Sequence, residues 1–170
     1  MYIGAHFSIN GGLIKALERA KLVEAECVQI FVSNPRSWAG VVLDNQKIKE
    51  FNEAYNKYNF KSLAVHMPYL PNIATPDTHI YRKSIAILKK DIDLAAMINA
   101  DYYVIHPGNS LEASLEKSIK RAADAINILL SNTQRITILI ENTAGQGTEI
   151  GFVFSQLGEI LAQIKNKRRI

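Results

Sequence analysis

The chain has 170 residues, 48% of them hydrophobic and 21% charged, with a formal net charge of +4. This is long enough to bury a sizeable core in one domain and too apolar for a disordered or fibrous chain. Its one cysteine, Cys27, excludes an internal disulfide. No apolar run reaches the ~20 residues that a membrane helix needs. The N-terminus lacks the charged region, apolar core and cleavage site of an export signal. A cytoplasmic protein is the expectation. The basic lean suits a polyanionic partner without requiring one.

Tyr2–His6 reads as a first short strand, and Asn10 as the N-cap of a helix carrying Leu13, Leu17, Ala20 and Val23. Cys27–Val32 reads as a second strand, which places Cys27 as a buried, inert thiol. Ser33-Asn34-Pro35 breaks that strand and opens a polar loop with Arg36 and Trp38. A helix from about Asp44 carries Ile48, Phe51, Tyr55 and Tyr58. Ser62–His66 is a third strand, followed by an irregular loop marked by Pro68, Pro71 and Pro76. Helical periodicity returns from about His79 to Ile98. Asp101–His106 is a fourth strand, stopped by Pro107-Gly108. A helix through Leu115, Ile119, Ala122, Ile126 and Leu129 leads to the run Ile136–Ile140, which ends in Glu141. That continuous apolar run reads as a strand buried on both faces. A fifth helix spans about Phe152 to Ile164, and a Lys/Arg cluster, 165–170, reads as a solvated turn or a phosphate contact.

Alternating strands and helices argue a parallel sheet of βαβ units. From His6 to Ser33, His66, His106 and Glu141 the steps are 27, 33, 40 and 35 residues. With no dinucleotide glycine fingerprint after the first strand, this points to a (β/α)8 TIM-barrel type of α/β fold. Only the first five β/α units are present, within a single domain, 1–170.

In a parallel sheet His66, His106 and Glu141 share one rim, where such folds place their chemistry. Two imidazoles and a carboxylate are a good set for a divalent metal, especially zinc, and three protein ligands leave a position for water. Ligands drawn from different strands form no short motif, so a purely structural role for each histidine stays open. His6 faces the same rim and reads as a neighbour of the ligands or a phosphate contact. Arg36 with Trp38, and Tyr69-Leu70 just beyond His66, offer a cation, aromatics and an apolar wedge suited to a disturbed base stack. Equally, Trp38 and Leu70 could simply cover the core, with Arg36 solvated.

GAHFSINGG, FVSNPRSW, HMPYL, VIHPGNS and LIENTAGQGTEIGF, each at a strand end, together resemble endonuclease IV, the zinc-dependent apurinic/apyrimidinic endonuclease family of base-excision repair. The resemblance runs the length of the chain. It implies an eight-stranded barrel holding up to three Zn2+ ions. It also implies hydrolysis of the phosphodiester 5′ to abasic sites in double-stranded DNA by zinc-activated hydroxide. By position His66, His106 and Glu141 match zinc ligands, with Glu141 catalytic and bridging two metals. Arg36, Tyr69 and Leu70 match residues that enter the DNA and stabilise the flipped-out abasic nucleotide.

The family's remaining ligands come from strands six to eight, which lie beyond residue 170. The expectation is therefore an N-terminal, truncated portion with at most one well-formed zinc site and exposed edges on its outer strands. Two alternatives stand beside it. One is a catalytically inactive fragment with at most weak zinc or DNA binding. The other is a metal-dependent sugar isomerase-like barrel.

Overall fold

The computed structural model describes residues 1–132 and 135–170. Five strands alternate with five helices: β1 (Gly4–His6), α1 (Leu13–Leu22), β2 (Cys27–Ile30), α2 (Asn45–Tyr58), β3 (Ser62–His66), α3 (Thr78–Met97), β4 (Tyr102–Ile105), α4 (Leu115–Asn132), β5 (Thr137–Ile140) and α5 (Phe154–Ala162). The strands pair in chain order, β1-β2-β3-β4-β5, and every pairing is parallel. This is the barrel-type succession expected from the periodicity. Among the described residues, no helix is long and apolar enough to cross a membrane.

The pleat sorts each strand's residues between two faces. Val28, Ile30, Leu63, Val65, Tyr103, Ile105 and Ile138 are buried. They form one core with Leu17 and Ala20 of α1, Phe51 of α2, Leu88 and Ile92 of α3, and Ala122 and Ile126 of α4. The alternate positions, Cys27, Gln29, Ser62 and Ala64, are only half buried, and Leu139 is 39% exposed. Three sequence expectations change here. β5 is buried on one face rather than two, because the helices cover only its outer side. Cys27 is half buried rather than enclosed, since it lies on that same inner face. The first strand covers Gly4–His6, with Tyr2 and Ile3 exposed.

Local rules account for the boundaries. Asp44 caps α2 by accepting the Lys47 N–H, and Asp77 caps α3 by accepting from His79 and Ile80. Asn10 does not cap α1. Gly11 and Gly12, at φ +85° and +112°, carry the chain two residues further, and the helix starts after Gly12 without a side-chain cap. The C-terminal basic cluster forms a 3-10 turn at Lys167–Arg169. Arg169 donates to the carbonyls of Ile136 and Leu130. This ties Arg169 to the start of β5 and the last turn of α4, at the end of the sheet away from the rim, while Lys165, Lys167 and Arg168 are exposed as in a solvated turn.

Candidate metal centre and the rim loops

β3, β4 and β5 deliver His66, His106 and Glu141 to one point, because all three strands run the same way. His66 closes β3, while the other two residues each follow the last residue of their strand. Glu141 Oε2 lies 2.9 Å from His66 Nε2 and 3.2 Å from His106 Nε2, and the two Nε2 atoms are 3.2 Å apart. One ligand atom from each residue falls within 4.8 Å of the others. His66 is buried, whereas His106 and Glu141 are partly open to solvent.

The tautomer of His66 makes this arrangement informative. Its Nδ1 lies 2.7 Å from the Met67 carbonyl, which can only accept, so Nδ1 carries the proton. In the neutral ring, Nε2 then presents a lone pair toward a carboxylate oxygen that is itself an acceptor. Such a meeting of lone pairs is stable only with a cation between them, either an extra proton or a metal ion. Burial, and next the neighbouring His66, hold His106 below the ordinary histidine value, with Glu141 opposing. A neutral imidazole is the form that binds a metal. Two nitrogens and a carboxylate oxygen therefore fit a divalent metal of the zinc type.

His6 stands beside this group and outside it. Its ring centroid is 5.8 Å from that of His66, and its Nδ1 accepts from Gln29 Nε2 at 3.0 Å. Burial, then His66, lower its pKa, with Glu141 again opposing.

The remaining sequence candidates lie on two neighbouring loops. Arg36 is exposed, and its N–H donates to Asn34 Oδ1. Tyr69 is 58% and Leu70 37% exposed. Tyr69 N–H donates to the Pro35 carbonyl at 2.9 Å, which joins the loop after β2 to the loop after β3. Trp38 packs against the core beneath Lys83 Nζ, 4.3 Å from its ring centroid. It covers the core, as one of the two open readings had it.

Two contributors escaped the sequence reading. Phe31 makes edge contacts with both Tyr69 and His66, at 5.2 and 5.5 Å between centroids, and so connects the loop to the ligand cluster. Asn72 clamps the loops after β3 and β4. Its Oδ1 accepts from Ala74 and Asn109, and its Nδ2 donates to the Asn109 carbonyl. Gly108, at φ +107°, passes so close to Asn72 that any Cβ would collide with it. The parity of Phe31 with Gln29 along the second strand was the available signal for the first. For Asn72 there was none, since Asn109, which makes it a clamp between loops, lies 37 residues away.

Comparison with known proteins gives the family. Residues 17–170 match the family described as xylose isomerase-like TIM barrel. A relative from Halothermothrix orenii named probable endonuclease 4 is 39% identical over 171 residues, covering all of this chain and 62% of the relative. Another of that name, from Carboxydothermus hydrogenoformans, is 36% identical, and the match covers 96% of this chain and 58% of that relative. The crystal structure of endonuclease IV from Thermus thermophilus superposes with a TM-score of 0.82 at 29% identity, over 96% of this chain and 60% of that one. A D-tagatose 3-epimerase-like protein shares the fold at a TM-score of 0.74 and 17% identity. The chain thus spans about three-fifths of the length of the relatives it matches. It belongs to the xylose isomerase-like TIM-barrel family, and within that family to the endonuclease IV group.

Proposed function

We propose that this chain carries the first zinc ligands and part of the DNA-contacting rim of an endonuclease that hydrolyses the phosphodiester 5′ to abasic sites. One observation carries the reading. His66, His106 and Glu141 aim three lone-pair donors at one point, with the His66 proton committed to the Met67 carbonyl. These three residues would hold the metal. When bound, zinc would supply Lewis acidity toward a phosphodiester oxygen and toward water.

The chain's own groups supply binding and orientation. Fixing Nδ1–H on a carbonyl holds the His66 ring in its ligand orientation. Because Nδ1 of His6 accepts from Gln29, its Nε2–H in the neutral ring is a donor suited to a phosphate oxygen. Arg36 offers a charge-assisted contact to the backbone of the duplex. Tyr69, braced edge-on by Phe31, and Leu70 form an aromatic and apolar wedge for the gap left by a missing base.

A second reading is that the 170 residues bind metal and DNA without cutting. It is favoured by the inner face of the sheet, where Tyr102 and Leu139 remain more than a third exposed. A sugar isomerase-like activity shares the fold but gives no task to Arg36 or Tyr69.

The test uses a labelled duplex bearing one abasic-site analogue, with zinc present and His106→Ala and Glu141→Gln beside the parent chain. Zinc binding and preference for the lesion duplex are expected in the parent and lost in both variants. Incision 5′ to the lesion would extend the reading to catalysis by these five units. Binding without incision supports the second reading. Zinc binding that survives both substitutions, or no preference for the lesion duplex, overturns the proposal.

A further inference from the structure

The core holds one acidic group for which metal binding has no use. Asp91, in the middle of α3, is 3% exposed. Ser33 Oγ donates to its Oδ1 at 2.8 Å, and the buried Tyr103 hydroxyl donates to its Oδ2 at 3.1 Å. No lysine, arginine or histidine pairs with it among the described residues. Burial accordingly pushes its carboxyl up to about 6, despite both hydroxyl donors. A buried acid without a cation is a poor source of stability. What the carboxyl does provide is position.

Ser33 is the root of the loop after β2, and Asp91 holds that root. At the other end of the same loop Trp38 sits under Lys83, also on α3. An ideal Cβ on Gly40 would lie against Ile87 and Lys90, again on α3. Residues 33 and 38 are thus fastened to one helix, and Arg36 is exposed between them. The Pro35 carbonyl, within the same span, receives the Tyr69 N–H.

We infer that Asp91 is a positioning residue: through Ser33 it sets the loop that presents Arg36 and supports Tyr69 at the rim. That loop's role in DNA binding rests on the function proposed above, whereas its placement can be read without DNA. Trp38 is the only tryptophan in the chain and lies on this loop, so its fluorescence reports the loop's docking.

The experiment compares Asp91→Leu, Asp91→Asn and Ser33→Ala with the parent chain. Tryptophan emission and acrylamide quenching are recorded beside urea unfolding, zinc affinity and affinity for the lesion duplex. Asp91→Leu keeps the branching at Cγ, with two bulkier methyls in place of the oxygens, and removes the acceptor. It should leave zinc affinity unchanged while red-shifting the folded-state Trp38 emission and weakening duplex binding by about five- to tenfold, with stability lowered because the Ser33 and Tyr103 hydroxyls lose their acceptor. Asp91→Asn can still accept from Ser33 and should restore the parent signal. Ser33→Ala should reproduce the Trp38 change, and it decides the matter if the leucine variant does not fold.

A purely structural role predicts that Trp38 emission changes only in step with the fraction unfolded in the absence of urea. That result, or an unchanged Trp38 in both Asp91→Leu and Ser33→Ala, overturns the inference. A Trp38 response without any loss of duplex affinity, in these variants and in Arg36→Ala, leaves the positioning role standing and overturns the DNA reading instead.

Discussion

The two faces of the sheet are made from the same strands and have opposite fates. On the outer face Ile30, Leu63, Tyr103 and Ile138 are fully enclosed by helices. On the inner face Cys27, Gln29 and Ser62 are half buried, and Leu139 is open. Stability therefore resides on the helix side, and the His66, His106 and Glu141 cluster finishes the lumen side. The lesson is a division of labour. An apolar face resists change, while the opposite face of the same ribbon is free to carry polar groups toward the rim.

Substitutions can break this comparison, and the largest effect belongs to the outer face. Ile30→Ala should cost about 3–4 kcal/mol in urea unfolding, because a closed site cannot collapse around the lost methylenes. A much smaller loss would mean that the outer face is not the stabilising one.

Next comes the charge within that sealed side. Folding raises the Asp91 carboxyl from the ordinary 3.8 to about 6, so the unfolded chain releases this proton first as pH rises. The stability it contributes is whole below about pH 4 and is lost as pH climbs to about 6, a change of about 2–3 kcal/mol. Unfolding the parent and Asp91→Asn across that range should show the parent losing ground by this amount. Parallel curves would indicate that water reaches the carboxyl.

Gly108→Ala tests the rim where the two faces meet. Its positive φ and the collision with Asn72 should cost about 2 kcal/mol and weaken zinc binding through His106. Stability lost with zinc affinity intact would separate the loop clamp from the ligand. The smallest effect is expected from Leu139→Ala, below about 1 kcal/mol, since its side chain is already partly in water. An effect equal to that of Ile30→Ala would show that the lumen face is covered in solution and would erase the contrast.

Residues close in sequence carried most of what could be read in advance. The strand–helix alternation, the parallel order and the rim placement of His66, His106 and Glu141 all follow from hydrophobic period and from the carboxyl ends of successive strands. The start of α1 was misplaced because two glycines at positive φ override a good capping residue. The double burial assigned to the last strand was also wrong. An apolar run states what a strand can bury, not what arrives to cover it.

By itself the sequence determined to within two residues where each strand ends (Val32 expected for Ile30, His106 for Ile105), because side-chain alternation and helix period are local properties of the backbone. Only the tertiary structure decided that His66, His106 and Glu141 converge on one point, that the His66 proton is committed to the Met67 carbonyl, and that Asp91 meets Ser33. The contacts among His66, His106 and Glu141 and the Asp91–Ser33 pair join residues 35 to 75 positions apart over a few ångströms. No local rule reaches so far, and a shift of one residue in strand register would undo them all.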